Sequence, residues 1–265
     1  NDFIGMKPTM LVKTGDEVKV GSKIFEDKKN PGIFFTSPAG GTIASINRGE
    51  KRKFLSVEID INSNEEFVNF NYEKTRPSLR NLLIESGLWN AFRTRPFNRT
   101  PSVDAEPDAV FVNCCDTSPL SIDPHEIIKL DNKNFELALD ALKTLFDCPI
   151  HVCYQNNDFS LEVDGVNYHQ FIGPHPAGLS STHISNIYPV NRNRTAWTIN
   201  YQDILSFGHL LDTNNLRTHK IIPIAGPSVR DPSLIKARIG GNLGQLTAGK
   251  INDGSRVISG SIIFG

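Results

Sequence analysis

Residues that could carry chemistry gather in a few short stretches. In GPHPAGLSSTHIS, residues 173–185, His175 and His183 stand among prolines, glycines and a Ser180-Ser181-Thr182 run. Pro176 and Gly178 between the imidazoles exclude one continuous helix, and no Asp, Glu or Cys lies inside to complete a metal set. No metal site is expected. Pro174 and Pro176 fix φ and remove N–H donors, while Gly173 and Gly178 permit close backbone approach. Ser180, Ser181 or Thr182 could cap a following helix whose free N–H groups attract anions or polar ligand atoms. A stiff loop that positions a helix start is the plainer reading, and no catalytic residue is assigned.

Arg93, Arg95 and Arg99 form a second group in RTRPFNR. Guanidinium groups so close together could clamp a phosphate or meet an acidic partner, and a solvated, salt-bridged face accounts for them equally. The cysteines are Cys114, Cys115, Cys148 and Cys153. Their spacing matches neither a disulfide framework nor a four-cysteine metal site, so buried thiols of a reducing compartment are expected. The Asn-Arg-Thr sequons at Asn98 and Asn193 are then chance matches. His125 lies near the Cys114-Cys115 pair in sequence, which is weak ground for a nucleophile–base pair. No Gly-x-Ser-x-Gly elbow appears. The stretch after Val112, Asn113 to Pro119, has no glycine, so the pyrophosphate cradle of a dinucleotide fold is absent, as is the Walker lysine motif.

The bulk numbers bound the rest. The chain has 265 residues, 28 basic against 29 acidic, a net charge of -1 and 38% hydrophobic residues. Such a balance gives no field for nucleic acid or anionic lipid. No apolar run approaches the roughly 20 residues of a membrane helix. The start at Asn1 and a last stretch, Ser259–Gly265, that reads as the middle of a strand suggest a piece trimmed at both ends.

Three parts must position these residues. Residues 1–65 read as a small β module, with Leu55, Val57, Ile59 and Ile61 alternating onto one buried strand face. The pattern GDEVKVGSKI followed by SPAGGTI resembles the barrel-sandwich fold of biotinyl and lipoyl carriers. The hairpin Asp27–Gly32 would then carry Lys28 and Lys29, but it starts too soon after Gly21 for a carrier lysine, and a solvated turn is preferred. Residues 62–76 are polar and form a boundary. Residues 76–216 read as a doubly wound α/β layer. Ser78 caps a helix with Leu79, Leu82 and Leu83 on one face, Gly87 interrupts it, and Trp89 and Phe92 follow at helical spacing. A strand at Ala109–Val112, a helix over 134–146 capped from Asp131 or Asn132, and a strand at Ile150–Tyr154 imply a parallel crossover. A strand at TAWTINY and a helix over 202–211 complete it. Residues 217–265 read as the start of a small β-rich domain.

Long segments in one order carry a wider resemblance: VGSKIFEDKKNPGIFFTSPAGGTIASINRGEKR, ESGLWNAFRTRPF, FVNCCDTSPL, GPHPAGLSSTHIS, NYQDILSFG and LTAGKINDGSRVISGS. They resemble the NqrA family, the hydrophilic component of the bacterial sodium-translocating NADH:quinone oxidoreductase, over essentially the whole chain. The resemblance implies an α/β multidomain fold: a barrel-sandwich domain, a Rossmann-like domain similar to the flavin subunit of respiratory complex I, and the start of a β-grasp (SLBB-like) domain. It implies a peripheral subunit on the cytoplasmic side of the bacterial inner membrane, partnered by the other subunits, membrane ones included. NADH:ubiquinone reduction coupled to Na+ export would belong to the complex, with the isolated chain not catalytic. NADH, FAD, FMN and iron–sulfur centres would sit in partner subunits, leaving this one structural and close to ubiquinone, whose tail would dock near Trp89, Phe92 and Phe97. Against the flavin subunit, SGLWNAFRTRP keeps only Gly87, an acidic segment is replaced by Cys114–Pro119, and the cluster cysteines are missing. Leu88 and Trp89 would occupy the volume that a flavin phosphate needs. Arg93, Arg95, Arg99, His175, Ser181, Thr182 and His183 remain as candidate ligand or partner contacts. The rival reading is a flavin- or NADH-binding redox subunit whose site is not recognisable from sequence.

Overall fold

The computed structural model describes residues 3–263 and 265. Short strands between Gly and Pro turns build two antiparallel three-stranded sheets. One holds β1 (Pro8–Met10), β3 (Lys23–Asp27) and β4 (Phe34–Thr36); the other holds β2 (Glu17–Val18), β5 (Gly41–Arg48) and β6 (Phe54–Ile61). Val18, Ile24 and Ile43 form the core between them, with Val57 and Ile59 packed against it. Leu55 and Ile61 depart from the expected alternation and are 58% and 50% exposed. The register shifts where Asn47 pairs with Ser56 and Arg48 with Phe54, so a bulge turns Leu55 outward. Ile61 ends the strand beyond the core. Lys28 and Lys29 are exposed on a turn, where the Asp27 carboxylate accepts from the Lys7 and Lys29 backbone N–H groups at 3.0 Å.

The polar stretch after β6 is pinned by backbone bonds from Val20 N–H to Glu66 and from Val68 N–H to Val20, each 2.8 Å. Helix α1 (Arg76–Glu85) then starts two residues ahead of the expected Ser78 cap. Pro77 suits its first turn because no partner exists there for a backbone N–H, and the Ser78 hydroxyl instead accepts from Glu73 N–H at 2.8 Å. Leu79, Leu82 and Leu83 are buried, as their spacing predicts. Gly87 takes φ +78°, and a Cβ there would lie 2.8 Å from Thr36 Oγ1. A 3-10 turn, Leu88–Ala91, follows, and the arginine stretch becomes strand β7 (Arg93–Arg95).

The central sheet runs β10-β9-β8-β11-β7, with β8 (Ala109–Cys114), β9 (Ile150–Tyr154), β10 (Asn167–Gln170) and β11 (Ala196–Asn200). β8, β9, β10 and β11 are parallel and β7 is an antiparallel edge. Between them lie α2 (Pro124–Ile128), α3 (Asn132–Leu145), α4 (Ser180–Ile187) and, after β11, α5 (Tyr201–Thr213). Alternate residues of β8 serve two cores: Val110, Val112 and Cys114 join the cluster built with α1, α3 and α5, while Ala109 and Phe111 join Ile184 of α4. Burial on both faces explains the unbroken apolar run. Asp131 does occupy the N-cap position of α3, but without a capping bond; its carboxylate accepts from Arg217 at 3.1 Å.

The last part pairs β12 (His219–Ile224) with β13 (Ser233–Arg238) and adds α6 (Leu243–Thr247). The strand expected at Ser259–Gly265 is bend and turn over 259–263, and Phe264 lies outside the described residues. Among the described residues no helix is long and apolar enough to cross a membrane.

Candidate functional site

Doubly wound sheets bind ligands beyond the carboxyl ends of their strands, where the strand order reverses. Here that point lies between β8 and β11, and the chain fills it with its own polar groups. Asn113, near the end of β8, donates through Nδ2 to Gly178 O at 3.0 Å and Ser180 Oγ at 3.2 Å. Thr117 Oγ1 accepts from Gly178 N–H at 3.0 Å and stands 3.3 Å from His175 Nδ1. A Cβ on Gly178 would fall 2.7 Å from Thr117 N. The GPHPAGLSSTHIS loop is therefore a strap across the sheet end, and Gly178 is where it presses closest.

Its histidine residues serve that strap. His183 is fully buried, with Nε2 2.8 Å from Ala177 O. A carbonyl only accepts, so Nε2 carries the proton, and burial pushes the imidazole down to about 4. The expected caps are corrected: the cap position is Leu179, with no side-chain cap bond. Ser180 accepts from Asn113, Ser181 is exposed, and Thr182 donates to Pro176 O at 2.9 Å. Proline rigidity at 174 and 176 lets the backbone itself set the helix start, which leaves the hydroxyls to tie the loop.

A second histidine pair escaped the sequence reading. His151 Nδ1 lies 3.0 Å from His169 Nε2 on the neighbouring strand, and burial, then the neighbouring His169, push His151 down to about 4. The signal was weak because β10 is a short polar edge strand. Cysteine nucleophilicity is suppressed: burial pushes Cys115 up to about 12, with Asp123 and Asp116 adding to it. Burial likewise raises Cys114 and Cys153. A thiol held that high supplies almost no thiolate near neutral pH. His125 is buried against the Phe159 ring, 5.4 Å between centroids.

Beyond β8 and β9 an open cleft of about 460 Å³ is lined by Thr117, Asp123, Gln155, Asn156 and Asp158 among others. It presents carboxylates and amides and no lysine or arginine. A nucleotide pyrophosphate would meet like charge there, so these residues do not fit that group.

The arginine cluster lies elsewhere and does not converge. Arg93 donates to Asn90 O and to Phe92 O, the latter at 3.0 Å, and stacks over the Phe3 ring at 4.5 Å. Arg95 donates to Asn98 Oδ1, and burial lowers its pKa. Arg99 is exposed. Trp89 and Phe92, expected near a docking surface, are 1% and 0% exposed. They pack edge-on with Trp197 and Phe146 in the main core. The aromatic spacing reported an inward face, so Trp89 is core packing rather than filling for a cofactor crevice. Phe97 alone of the three is on the surface, 77% exposed at φ +71°.

Arg99 does border a separate cleft of about 200 Å³ between the barrel-sandwich part and the start of the α/β part. Phe3, Met6, Ile33 and Phe35 supply apolar wall, and Asn90 and Lys29 supply polar groups. Asn90 is 8% exposed and donates Nδ2 to Phe34 O at 2.6 Å. Asn30 Nδ2 bonds Thr100 O and Pro101 O, each at 3.3 Å, which ties the two sides of the cleft together.

Comparison with known proteins decides what this assembly is. The NqrA second alpha/beta domain matches residues 74–216, the NqrA N-terminal barrel-sandwich hybrid domain residues 1–62, and the NQRA C-terminal domain residues 221–265. The chain belongs to the NqrA family. Relatives that carry the name of the A component of Na(+)-translocating NADH-quinone reductase include that of Neisseria meningitidis serogroup B, 48% identical, and that of Haemophilus influenzae, 44% identical. That of Actinobacillus pleuropneumoniae serotype 5b is 44% identical. Each alignment covers 100% of this chain but 61–62% of the relative, so the chain spans about three-fifths of their length. NqrA membership agrees with the expected fold class: barrel-sandwich, α/β and SLBB-type parts in that order. Among the described residues no three or more His, Cys, Asp or Glu are arranged to hold a metal ion.

Proposed function

We propose that the chain acts as part of the NqrA component of a Na(+)-translocating NADH-quinone reductase, peripheral on the cytoplasmic side of the bacterial inner membrane. It contributes to NADH:ubiquinone reduction coupled to Na+ export only within the assembled complex. Partner subunits, membrane ones included, hold NADH, FAD, FMN and the iron–sulfur centres. This chain is their framework and lies close to ubiquinone.

The observation that carries the quinone reading is the cleft beside Arg99. A quinone head is a flat apolar ring with polar edges, and small-ligand sites pair apolar walls with a few placed polar groups. Phe3, Ile33 and Phe35 provide the walls, and Asn90, Lys29 and Arg99 the polar points. Of the other candidates, Arg93 supports the wall through Phe3, and Arg95 shapes the hairpin that carries Arg99. His175, Ser181, Thr182 and His183 belong to the strap and are assigned no contact with quinone.

The test is a photoreactive quinone applied to the assembled complex. Labelled peptides from residues 3–6, 27–35 or 90–100 are expected; labelling no stronger than that of an unrelated protein overturns the reading. The purified full-length chain is expected to be colourless, and flavin released on denaturation would favour the redox-subunit rival.

A further inference from the structure

The hairpin after β7 holds an apolar ring in water at a cost to its own backbone. Phe97 is 77% exposed, and Phe97 and Asn98 both take left-handed backbone, φ +71° and +50°. That conformation is an outlier for a bulky side chain and persists only where surrounding bonds over-determine it. Such bonds are present. Asn98 N–H donates to Thr94 O at 2.8 Å and Pro96 O at 2.9 Å, and Thr94 N–H donates to Arg99 O at 2.8 Å. Arg95 adds a bond to Asn98 Oδ1. The hairpin is therefore fixed with its ring outside, and that ring does not line the quinone cleft.

Cations without counter-charges share this end of the sheet. β7 ends at Arg95 opposite Ala196, so the hairpin leaves the sheet beside the Asn191–Arg194 turn that leads into β11. Arg192 and Arg194 are exposed on that turn. Among the described residues, none of Arg95, Arg192 and Arg194 makes an ion pair. Asp108, at the same end, is taken up by Thr195, whose N–H and Oγ1 donate to its Oδ2 at 2.7 and 3.1 Å. Exposed guanidinium groups beside a projecting aromatic ring have the composition of an interface anchor.

We infer that the Phe97 hairpin and the Asn191–Arg194 turn form a docking surface for an acidic segment of another subunit, with Phe97 seated in an apolar socket on that partner. Carboxylates on the partner supply the counter-charges that Arg192 and Arg194 lack, and the planar guanidinium fork suits them because it can meet one carboxylate with two bonds. A hairpin already fixed in shape loses little freedom on docking. One ring and a few cations are a weak hold on a bilayer, which needs a larger apolar area or a longer basic run. The occupant is accordingly a protein. This rests on the subunit reading above and is independent of the quinone cleft.

The experiment reads the exposure of Phe97 by hydroxyl-radical oxidation of the full-length protein, alone and in the assembled reductase, followed by mass spectrometry of its peptide. Phe97 is expected to oxidise readily in the protein alone and about fivefold more slowly in the complex, as a ring in an interface core should. Equal oxidation in both overturns the docking surface and leaves the subunit reading standing. Slow oxidation in the protein alone means that the rest of its own chain covers the ring, and overturns the partner. Protection by vesicles of phosphatidylglycerol and phosphatidylethanolamine, without the other subunits, overturns it in favour of lipid. Binding of the full-length protein to reductase purified without it gives a second readout. Phe97→Asn, whose side chain tolerates left-handed backbone, should keep the hairpin and weaken that binding about thirtyfold, the factor of a hot-spot truncation. Arg192→Glu should weaken it about fivefold and flatten its salt dependence. Parent-like binding by both variants overturns the surface alone, and failure of the parent to bind overturns the subunit reading as well.

Discussion

Arg238 meets Glu65 with both ends of its guanidinium, Nη1 to Oε1 at 3.0 Å and Nη2 to Oε2 at 2.5 Å, although 173 residues separate them. Nη1 also donates to Pro38 O at 3.1 Å, and Gly40 N–H donates to the same carboxylate at 2.8 Å. One arginine thus fastens the last part of the chain to the first part and to the stretch that leaves it. Burial acts to raise the Glu65 pKa, but the Arg238 and Gly40 hydrogen bonds outweigh it and hold the carboxyl below its ordinary value.

Arg238→Ala is therefore expected to lower stability by roughly 1–2 kcal/mol, more than an ordinary surface pair, because the contact is bidentate and mostly covered. A carboxyl whose folded pKa is depressed stabilises above its unfolded value and loses that contribution as pH falls through the folded one. The urea midpoint of the parent should accordingly drop from pH 6 to pH 3 more than that of the variant. Equal slopes would remove Glu65 from the account.

Gly178→Val should disrupt the strap. Its Cβ would meet Thr117 N at 2.7 Å, and this contact is with backbone that cannot swing aside. An overpacking cost of about 1–3 kcal/mol follows. Faster amide exchange is expected at Asn113 and at residues 175–183, and exchange unchanged there would count against the strap.

Gly208→Ala should be more damaging. On α5 a Cβ would lie 1.8 Å from Asn134 O on α3, so the two helices must separate. Roughly 3 kcal/mol or more is expected from a change that opens a close-packed core. Retention of the parent melting temperature would show that the helices sit further apart than this.

The histidine cluster predicts acid sensitivity. His151 and His183 titrate at about 4 in the fold against 6.5 unfolded. Between those values the unfolded chain binds more protons, so stability is greatest above about 6.5 and falls as pH falls towards 4. The loss is on the order of 3 kcal/mol per residue. His183→Gln, whose amide can still donate to Ala177 O, should flatten the slope of denaturation midpoint against pH; an unchanged slope would exclude His183 as its source.

Much of this molecule was readable from local pattern. The strands at 109–114, 150–154 and 196–200 and the helices over 132–145 and 201–213 appear because apolar periodicity reports burial, and burial dominates folding. The misses are equally physical. Leu55 read as inward because alternation counts residues, whereas the bulge at Arg48 skips one. β7 and β10 gave no strand signal because their side chains are polar and their strand character comes from pairing with neighbours distant in sequence. Residue type likewise could not tell Trp89, which is core, from Phe97, which is surface.

By itself the sequence determined the order of three parts, the family and the lack of a Gly-x-Gly-x-x-Gly or Walker motif, since each depends on residue types at short spacing. Only the tertiary structure decided that His175 and His183 belong to a strap and that Arg93, Arg95 and Arg99 diverge. Hydrogen-bond geometry and burial are properties of contacts between distant segments, and local pattern carries no record of them.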